Sequence, residues 1–377
     1  MNTSKQRQHY FLHLTIMILI LTMLIGCGPS TEDLEAVNYT PLLRDDWEVS
    51  TPIEQGLDPD LVAEFFYNAL ELQTIYSLLI IKNGYLIAEG YFNDGSIEQK
   101  TLNQSAAKSY YSAMVGIALE LGCISSLDEK MIDYFPEVAD QIKDPRKKQI
   151  AIRDLLQMRS GYPWEESDPA LWEALFTADY TPLIVQFPLV SDPGTEFHYS
   201  NLSTHWVGVI VERACDTDLK SFAQEHLFSQ IDSEVGHWPQ VMYDEYFPHF
   251  ESSARDAAKF GLMYLNKGEY KGSQVISSDW IHDSLQTYSE DAWTIGVGRN
   301  FNDPGYGYYW WSVRAGDYQY NLAWGHGGQQ IVLLDDLDMV IVVTADPFYQ
   351  EHNDQAWRHE KASLNLVADF IASLPGE

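Results

Sequence analysis

The sequence predicts an α+β fold, a mainly antiparallel sheet built from both ends of the chain, covered by helices and interrupted by an all-helical region. Three observations predict it. Two β-rich runs, Tyr76 to Lys82 and Tyr85 to Phe92, flank Asn83-Gly84, a strong two-residue hairpin signal. Further β-rich runs return only near the C-terminus, at Gly307 to Val313, Tyr318 to Trp324, Gln329 to Leu334 and Met339 to Thr344. Between these groups the apolar residues recur at helical spacing.

The N-terminus reads as an export signal: Lys5 and Arg7, an apolar run from Tyr10 to Ile25, then Gly26-Cys27. The run is short and ends abruptly for a membrane span. Leu24 to Cys27 resembles a bacterial lipobox, which would make Cys27 the lipid-bearing residue; a signal anchor with a chance cysteine is the alternative. The expected organisation is a signal peptide at 1–26, a polar tether at 27–50, a sheet domain from 51–104 and 250–377, and a helical domain at 105–249. A lipid anchor would tie the protein to the bacterial cell envelope, on the periplasmic or cell-surface side.

Removing the signal leaves roughly 350 residues, enough for one large domain or two closely packed ones. The composition, 45% hydrophobic and 13% aromatic, supplies a core, and the net charge of −32 argues against nucleic acid as a partner. Cys123 and Cys215 either pair or remain as buried thiols. No paired His/Cys spacing suggests a metal site, no cofactor is expected, and a monomer is the expected state.

Taken in order, Leu61 to Leu72 is an amphipathic helix, and the hairpin follows. Ser109 to Leu121 then carries apolar residues at Met114, Ile117, Ala118 and Leu121 and stops at Gly122. Ile152 to Met158 is a short helix. The stretch from Tyr162 to Pro193, with Trp164 and Trp172, has no clear strand and reads as an irregular wall of a site. Asp192 to Thr195 is a turn that delivers Tyr199 to a helix at Thr204 to Ala214, and helical character continues over Leu219 to Phe228. Ser253 to Leu265 and Trp357 to Ile371 are the last two helices.

Ser105-Ala106-Ala107-Lys108 sits where an extended segment meets the Ser109 helix, and it is the only Ser-x-x-Lys in the chain. Residues three apart share one helical face, so the lysine amine reaches the serine hydroxyl. Backbone N–H groups at a helix start favour an oxyanion, and their field with partial burial pushes Lys108 toward its neutral, basic form. Read alone, these four residues fit an N-cap serine followed by a solvated lysine better than a catalytic pair. Two further pieces accompany them. Tyr199-x-Asn201 lies on a turn-to-helix junction, where a tyrosine whose pKa is lowered by a lysine could return a proton to a leaving group. Trp324-Gly325-His326-Gly327-Gly328-Gln329 is a glycine-rich strand start that lets a ligand approach the backbone, or else a bulge.

In that order, Ser105 to Lys108, Tyr199 to Asn201 and His326 to Gly328 resemble the serine β-lactamase and penicillin-binding protein superfamily. The branch is the class C-like one, with its esterases, D-amino acid peptidases and 6-aminohexanoate-dimer hydrolases. The resemblance runs from about Ile53 to Ser373 and implies a five-stranded antiparallel sheet with flanking helices and a helical domain. It implies Ser105 as acylated nucleophile, Lys108 as its proton partner and Tyr199 as general base and acid. Asn201 would bind substrate, as would His326, Gly327 and Gly328, and the N–H groups of Ser105 and Gln329 would form the oxyanion hole.

The third motif departs from the Lys-Thr-Gly or Lys-Ser-Gly of lactam-binding relatives, since His326 and Gly327 replace the lysine and the hydroxyl residue. With so many aromatics nearby, the cleft is expected to suit uncharged acyl groups and to favour esters or amides over β-lactams. The leading expectation is a lipid-anchored serine hydrolase acting on a small ester or amide. A D-alanyl carboxypeptidase or β-lactamase, and a silent cell-wall peptide-binding protein, are the alternatives.

Overall fold

The computed structural model describes residues 29–177, 179–240, 246–350 and 355–376. The expected signal peptide and Cys27 lie outside these residues. Eleven strands are described: β1 Ile75–Lys82, β2 Tyr85–Tyr91, β3 Lys100–Leu102, β4 Glu251–Ser253, β5 Glu269–Tyr270, β6 Ser273–Gln274, β7 Asn302–Tyr306, β8 Trp311–Ala315, β9 Tyr318–Gly325, β10 Gln329–Leu334 and β11 Met339–Ala345. Seven of them form one antiparallel sheet in the order β2-β1-β11-β10-β9-β8-β7. Pairing of β1 with β11, Ile80 opposite Ile341, joins the two ends of the chain as expected.

The sheet has seven strands where the resemblance implied five. The unexpected one at the C-terminal side is β7, whose sequence NDPGY reads as a turn. It is an edge strand, where Pro304 removes no interior ladder bond. The run taken as Gly307 to Val313 is also displaced. Gly307 N–H donates to Trp310 O at 2.8 Å, so 307–310 is a turn and the strand begins at Trp311.

Every residue of β10 and β11 is buried, so both sheet faces are covered. Ile331 and Gln330 are neighbours on β10 and point to opposite faces. On one, the Ala254–Leu265 helix packs at Gly261, where a Cβ would come within 2.7 Å of Val340. On the other, Gln330 Nε2 donates to Ser363 of the Ala356–Ser373 helix, which packs with Pro59–Leu70 through stacked Phe65 and Phe370 rings 4.1 Å apart.

Two sequence expectations need correction. The irregular wall contains helices Pro169–Thr177 and Tyr180–Gln186. Pro182 disguises the second, although it falls in the first turn, where a missing N–H costs little. Its C-terminal carbonyls are held from outside: Lys147 Nζ donates to Ile184, Val185 and Phe187 O at 2.8, 2.8 and 2.5 Å. The described part of the 27–50 tether is not a free tether. Trp47 is buried, Val49 bridges Leu86, and Asp46 joins Arg255, which also grips Glu89 with two bonds of 2.8 and 2.7 Å.

Of the two readings open for the cysteines, the structure takes the pair. Cys123 and Cys215 form a disulfide with Cα atoms 5.0 Å apart. It ties the C-terminal end of the Ala107–Glu120 helix to that of the Asn201–Cys215 helix. Among the described residues no helix is long and apolar enough to cross a membrane.

Candidate active site

The disulfide-linked helices carry the site at their opposite, N-terminal ends. Ser105 lies in a single 3-10 turn, Gln104–Ala106, that runs directly into the Ala107–Glu120 helix. Gln104 before it has φ +49°, a left-handed conformation that a side-chain-bearing residue adopts at a cost and that turns the serine out of the incoming strand direction. The turn is fixed to β9 by close approach. A Cβ on Gly325 would fall 2.3 Å from Asn103 O, so only glycine lets the strand end lie there.

Lys108 is buried, and its Nζ donates to Ser105 Oγ at 2.9 Å and to Asn201 Oδ1 at 3.0 Å. Burial lowers its pKa to about 8, with Glu166 and then Glu165 holding it from falling further. A substantial share of the amine is therefore neutral near pH 8, in contact with the Ser105 hydroxyl.

Tyr199 stands on the expected junction, two residues before the Asn201–Cys215 helix and one before its N-cap Ser200. Its electrostatics differ from expectation. Lys108 Nζ lies over the ring, 5.0 Å from its centroid, and burial raises the phenol well above its ordinary range, with the Ser105 hydroxyl offsetting only part. Tyr199 thus holds its proton in the resting site.

Three carboxylates complete this arrangement, and none was singled out from the sequence. Glu165 is buried and accepts from Ser200 Oγ at 2.6 Å, Asn201 N at 3.0 Å and Leu202 N at 3.3 Å, clamping the start of the Tyr199 helix. Burial pushes its pKa up to about 7 against those bonds. Glu166 accepts from Asn201 Nδ2 at 3.2 Å. Their only signal in the sequence was the acidic character of the stretch beside Trp164. Glu360, on the C-terminal helix, accepts from Trp324 Nε1 at 2.8 Å and Gly327 N at 3.1 Å and pairs with His326 Nδ1 at 2.8 Å. Nothing local in the sequence marks Glu360, since only the packing of that helix on the sheet brings it there.

The third motif is the turn between β9 and β10. His326 lines the cleft beside Ser105. Gly327 and Gly328, at φ +80° and +97°, serve the turn itself: the Gly327 N–H goes to Glu360, the Gly328 N–H to Gly325 O, and the Gly328 carbonyl accepts from Ser363 Oγ. Gln329 starts β10 opposite Gly325. Its side chain is bound to the Ala345 backbone, with 2.6 Å from Nε2 to O and 3.1 Å from N to Oε1, which leaves its main chain as the part it can offer.

The cleft has two lobes that meet at Ser105, Glu166 and His326. The smaller, of about 90 Å³, is walled by Trp164, Trp293, Trp311 and Trp324. The larger, of about 610 Å³, runs past Trp172, Leu175, Phe247 and His249, whose imidazole is pushed down to about 4 by burial and by Lys108. Of the aromatics before the third motif, Trp311 and Trp324 reach the cleft, whereas Tyr306, Tyr308, Tyr309 and Trp310 are buried in the core. Among the described residues no group of His, Cys, Asp or Glu is placed to hold a metal ion.

An amine that donates to the Ser105 hydroxyl and to the Asn201 carboxamide, with the Tyr199 phenol beside it, is the set of groups that nucleophilic catalysis uses. The chain is 26% identical over 290 residues to the 6-aminohexanoate-dimer hydrolase of Paenarthrobacter ureafaciens, covering 71% of each chain. It is 21% identical over 288 residues to Beta-lactamase-like protein 2 of Dictyostelium discoideum, covering 73% of this chain but only 49% of that one. Its fold matches that of a Bacillus anthracis protein assigned as a 6-aminohexanoate-dimer hydrolase, with TM-score 0.64 at 20% identity over 90% of this chain and 89% of the other. The Beta-lactamase family model matches residues 78–365, and the chain belongs to that family of serine hydrolases.

Proposed function

We propose that this protein hydrolyses an ester or amide bond through an acyl-enzyme on Ser105. One observation carries the reading, the buried Lys108 amine with its pKa near 8 donating to Ser105 Oγ at 2.9 Å. In its neutral form Lys108 takes the hydroxyl proton as Oγ attacks the substrate carbonyl carbon. The N–H groups of Ser105 and Gln329 stabilise the oxyanion. Tyr199, still protonated, gives its proton to the leaving group as the carbonyl re-forms, and Lys108 restores it. A water molecule then attacks the acyl-enzyme, its proton leaves through the same pair, and Ser105 Oγ departs as the hydroxyl. Asn201, bonded to Lys108, orients the amine and the substrate.

Esters and amides are the favoured substrates rather than β-lactams. In lactam-binding relatives a lysine and a hydroxyl hold the ligand carboxylate; here His326 is engaged with Glu360, and Gly327 has no side chain. A panel of p-nitrophenyl esters, D-amino acid amides and nitrocefin, run beside Ser105→Ala, tests this. Ester or amide turnover above that of nitrocefin, abolished by Ser105→Ala, is expected. Nitrocefin turnover at or above the ester rate would instead make the protein a β-lactamase, and no turnover at all would make it a binding protein.

We propose further that the protein is exported and lipid-anchored through Cys27, acting on the outer side of a bacterial membrane. The lipobox-like Leu24 to Cys27 and the Cys123–Cys215 disulfide, a bond that persists in oxidising compartments, support this. Cys27→Ala should release the protein from the membrane fraction, and unchanged fractionation would mean an uncleaved signal anchor.

A further inference from the structure

We infer that one buried water molecule, held between Asn103 and Thr344, fixes the gap between the two backbone segments that offer their N–H groups to the oxyanion. Its site is an internal cavity that shares no lining residue with either lobe of the cleft. The role assigned to the water rests on the hydrolase reading above, whereas the site stands without it.

The cavity is walled by β3 and β4, by the first half of β10 and by the second half of β11. It holds about 10 Å³, and every residue lining it is buried. A single water needs roughly 10–15 Å³ and two to four polar partners. Thr101 and Ser252, opposite one another on β3 and β4, supply hydroxyls on one side. Thr344 of β11 supplies the one hydroxyl that the seven-stranded sheet contributes to the wall. No acidic or basic side chain lines the cavity, so an ion would enter it uncompensated.

Asn103 is the residue that calls for an occupant. Its backbone N–H donates to Phe250 O at 3.0 Å, and Phe250 N–H donates back to its side chain at 3.1 Å. A backbone N–H can only donate, so the side-chain atom it meets is Oδ1 and the other is the amino group. That amino nitrogen, Nδ2, is buried with no hydrogen-bond partner among the described residues. A buried amide donor is unfavourable when unpaired, and a water is the acceptor that fits. The water accepts from Nδ2 and donates across the cavity to Thr344 Oγ1. Thr344 shares one proton with Ser77 Oγ over 2.6 Å and keeps a lone pair for this bond.

The placement couples the water to the proposed chemistry. The Asn103 carbonyl accepts from Ala106 N–H at 3.0 Å, closing the turn that holds Ser105. Ala106 and Gln329 both line the cavity, so the Ser105 turn and the start of β10 lie against the same water. Strand β11, which carries Thr344, is paired with β10. A bridge from Asn103 to Thr344 therefore ties the serine turn to the sheet at the point where Gln329 enters it. An oxyanion hole works only when both donors lie about 3 Å from one oxygen, and this bridge sets their separation. Asn103 is thus a positioning residue, acting through the turn and not on the substrate.

The test joins a high-resolution crystal structure of the protein to kinetics on p-nitrophenyl acetate. Density for one water within hydrogen-bond distance of Asn103 Nδ2 and Thr344 Oγ1 is expected. Two variants remove it in different ways. Ala257→Val fills the cavity from the Ala254–Leu265 helix and breaks no hydrogen bond, and Thr344→Val keeps the shape of the strand residue but removes the far end of the bridge. Each should lower kcat by roughly tenfold with KM nearly unchanged, and should slow fluorophosphonate labelling of Ser105 by a similar factor. A merely structural water would lower the melting temperature and leave kcat of the folded protein as it was. A cavity that shows no water density, or that takes up xenon under pressure, overturns the site. Variants whose structures have lost the water while kcat is unchanged overturn its role. Failure of wild-type Ser105 to label overturns the hydrolase reading and the role with it, and the density still decides the site.

Discussion

Lys108 Nζ stands 2.9 Å from Ser105 Oγ and 3.0 Å from Asn201 Oδ1, so one buried amine joins the start of one helix to the start of another. The far ends of those helices are joined covalently by Cys123 and Cys215. Fixing both ends of the pair holds the serine, the amine and the Tyr199 segment in one geometry, which the proposed mechanism requires.

Lys108→Ala and Tyr199→Phe should each lower kcat on a neutral ester by ~10²–10⁴-fold, the usual contribution of a positioned proton-transfer group. The double variant should be little worse than the worse single, because members of one unit are not additive. Circular dichroism should be unchanged. Full activity in Tyr199→Phe would leave Lys108 as sole acid and base.

The rate should depend on pH through Lys108, whose pKa is lowered to about 8 chiefly by burial. Its neutral form is the active one, so kcat/KM for a neutral ester should climb with pH and level off above about 8. Glu166→Gln removes the largest charge opposing that lowering, and the limb should move to lower pH. A limb that stays put or moves upward would separate the profile from Lys108.

Glu165 gives a stability signature of the opposite kind from a salt-bridged carboxylate. Its folded pKa is raised to about 7 by burial, so its favourable contribution is complete below its unfolded pKa and is lost as pH rises through about 7. The loss is roughly 3 kcal/mol between those limits. Urea unfolding from pH 4 to 8 should therefore show Glu165→Gln gaining stability relative to wild type as pH rises. Parallel profiles for the two proteins would contradict the assignment.

Much of this was legible in the sequence because it was local. Asn83-Gly84 marked the first hairpin, Gly122 closed the nucleophile helix, and the three-residue spacing of Ser105 and Lys108 put the two side chains on one helical face. What was missed depends on tertiary placement. Strand β7 carries a proline and a glycine that only an edge position tolerates. The two helices between Pro169 and Gln186 are short, and the second is finished by Lys147 from a distant segment. The pKa of Tyr199 was misjudged because burial, which comes from tertiary packing, raises it by more than the Ser105 hydroxyl lowers it. Glu360 enters the site from a helix whose own pattern speaks only of packing, yet it fixes His326, Trp324 and the glycine turn together.

The central claim is that Ser105 is the residue acylated during turnover, and trapping tests it most directly. The protein is treated with a fluorophosphonate, its intact mass is measured, and the adduct is located by peptide mapping. The account expects one adduct per chain, on the peptide containing Ser105, formed faster as pH rises toward 8 and absent in Ser105→Ala. An adduct on another residue, or one that persists in Ser105→Ala, would contradict it.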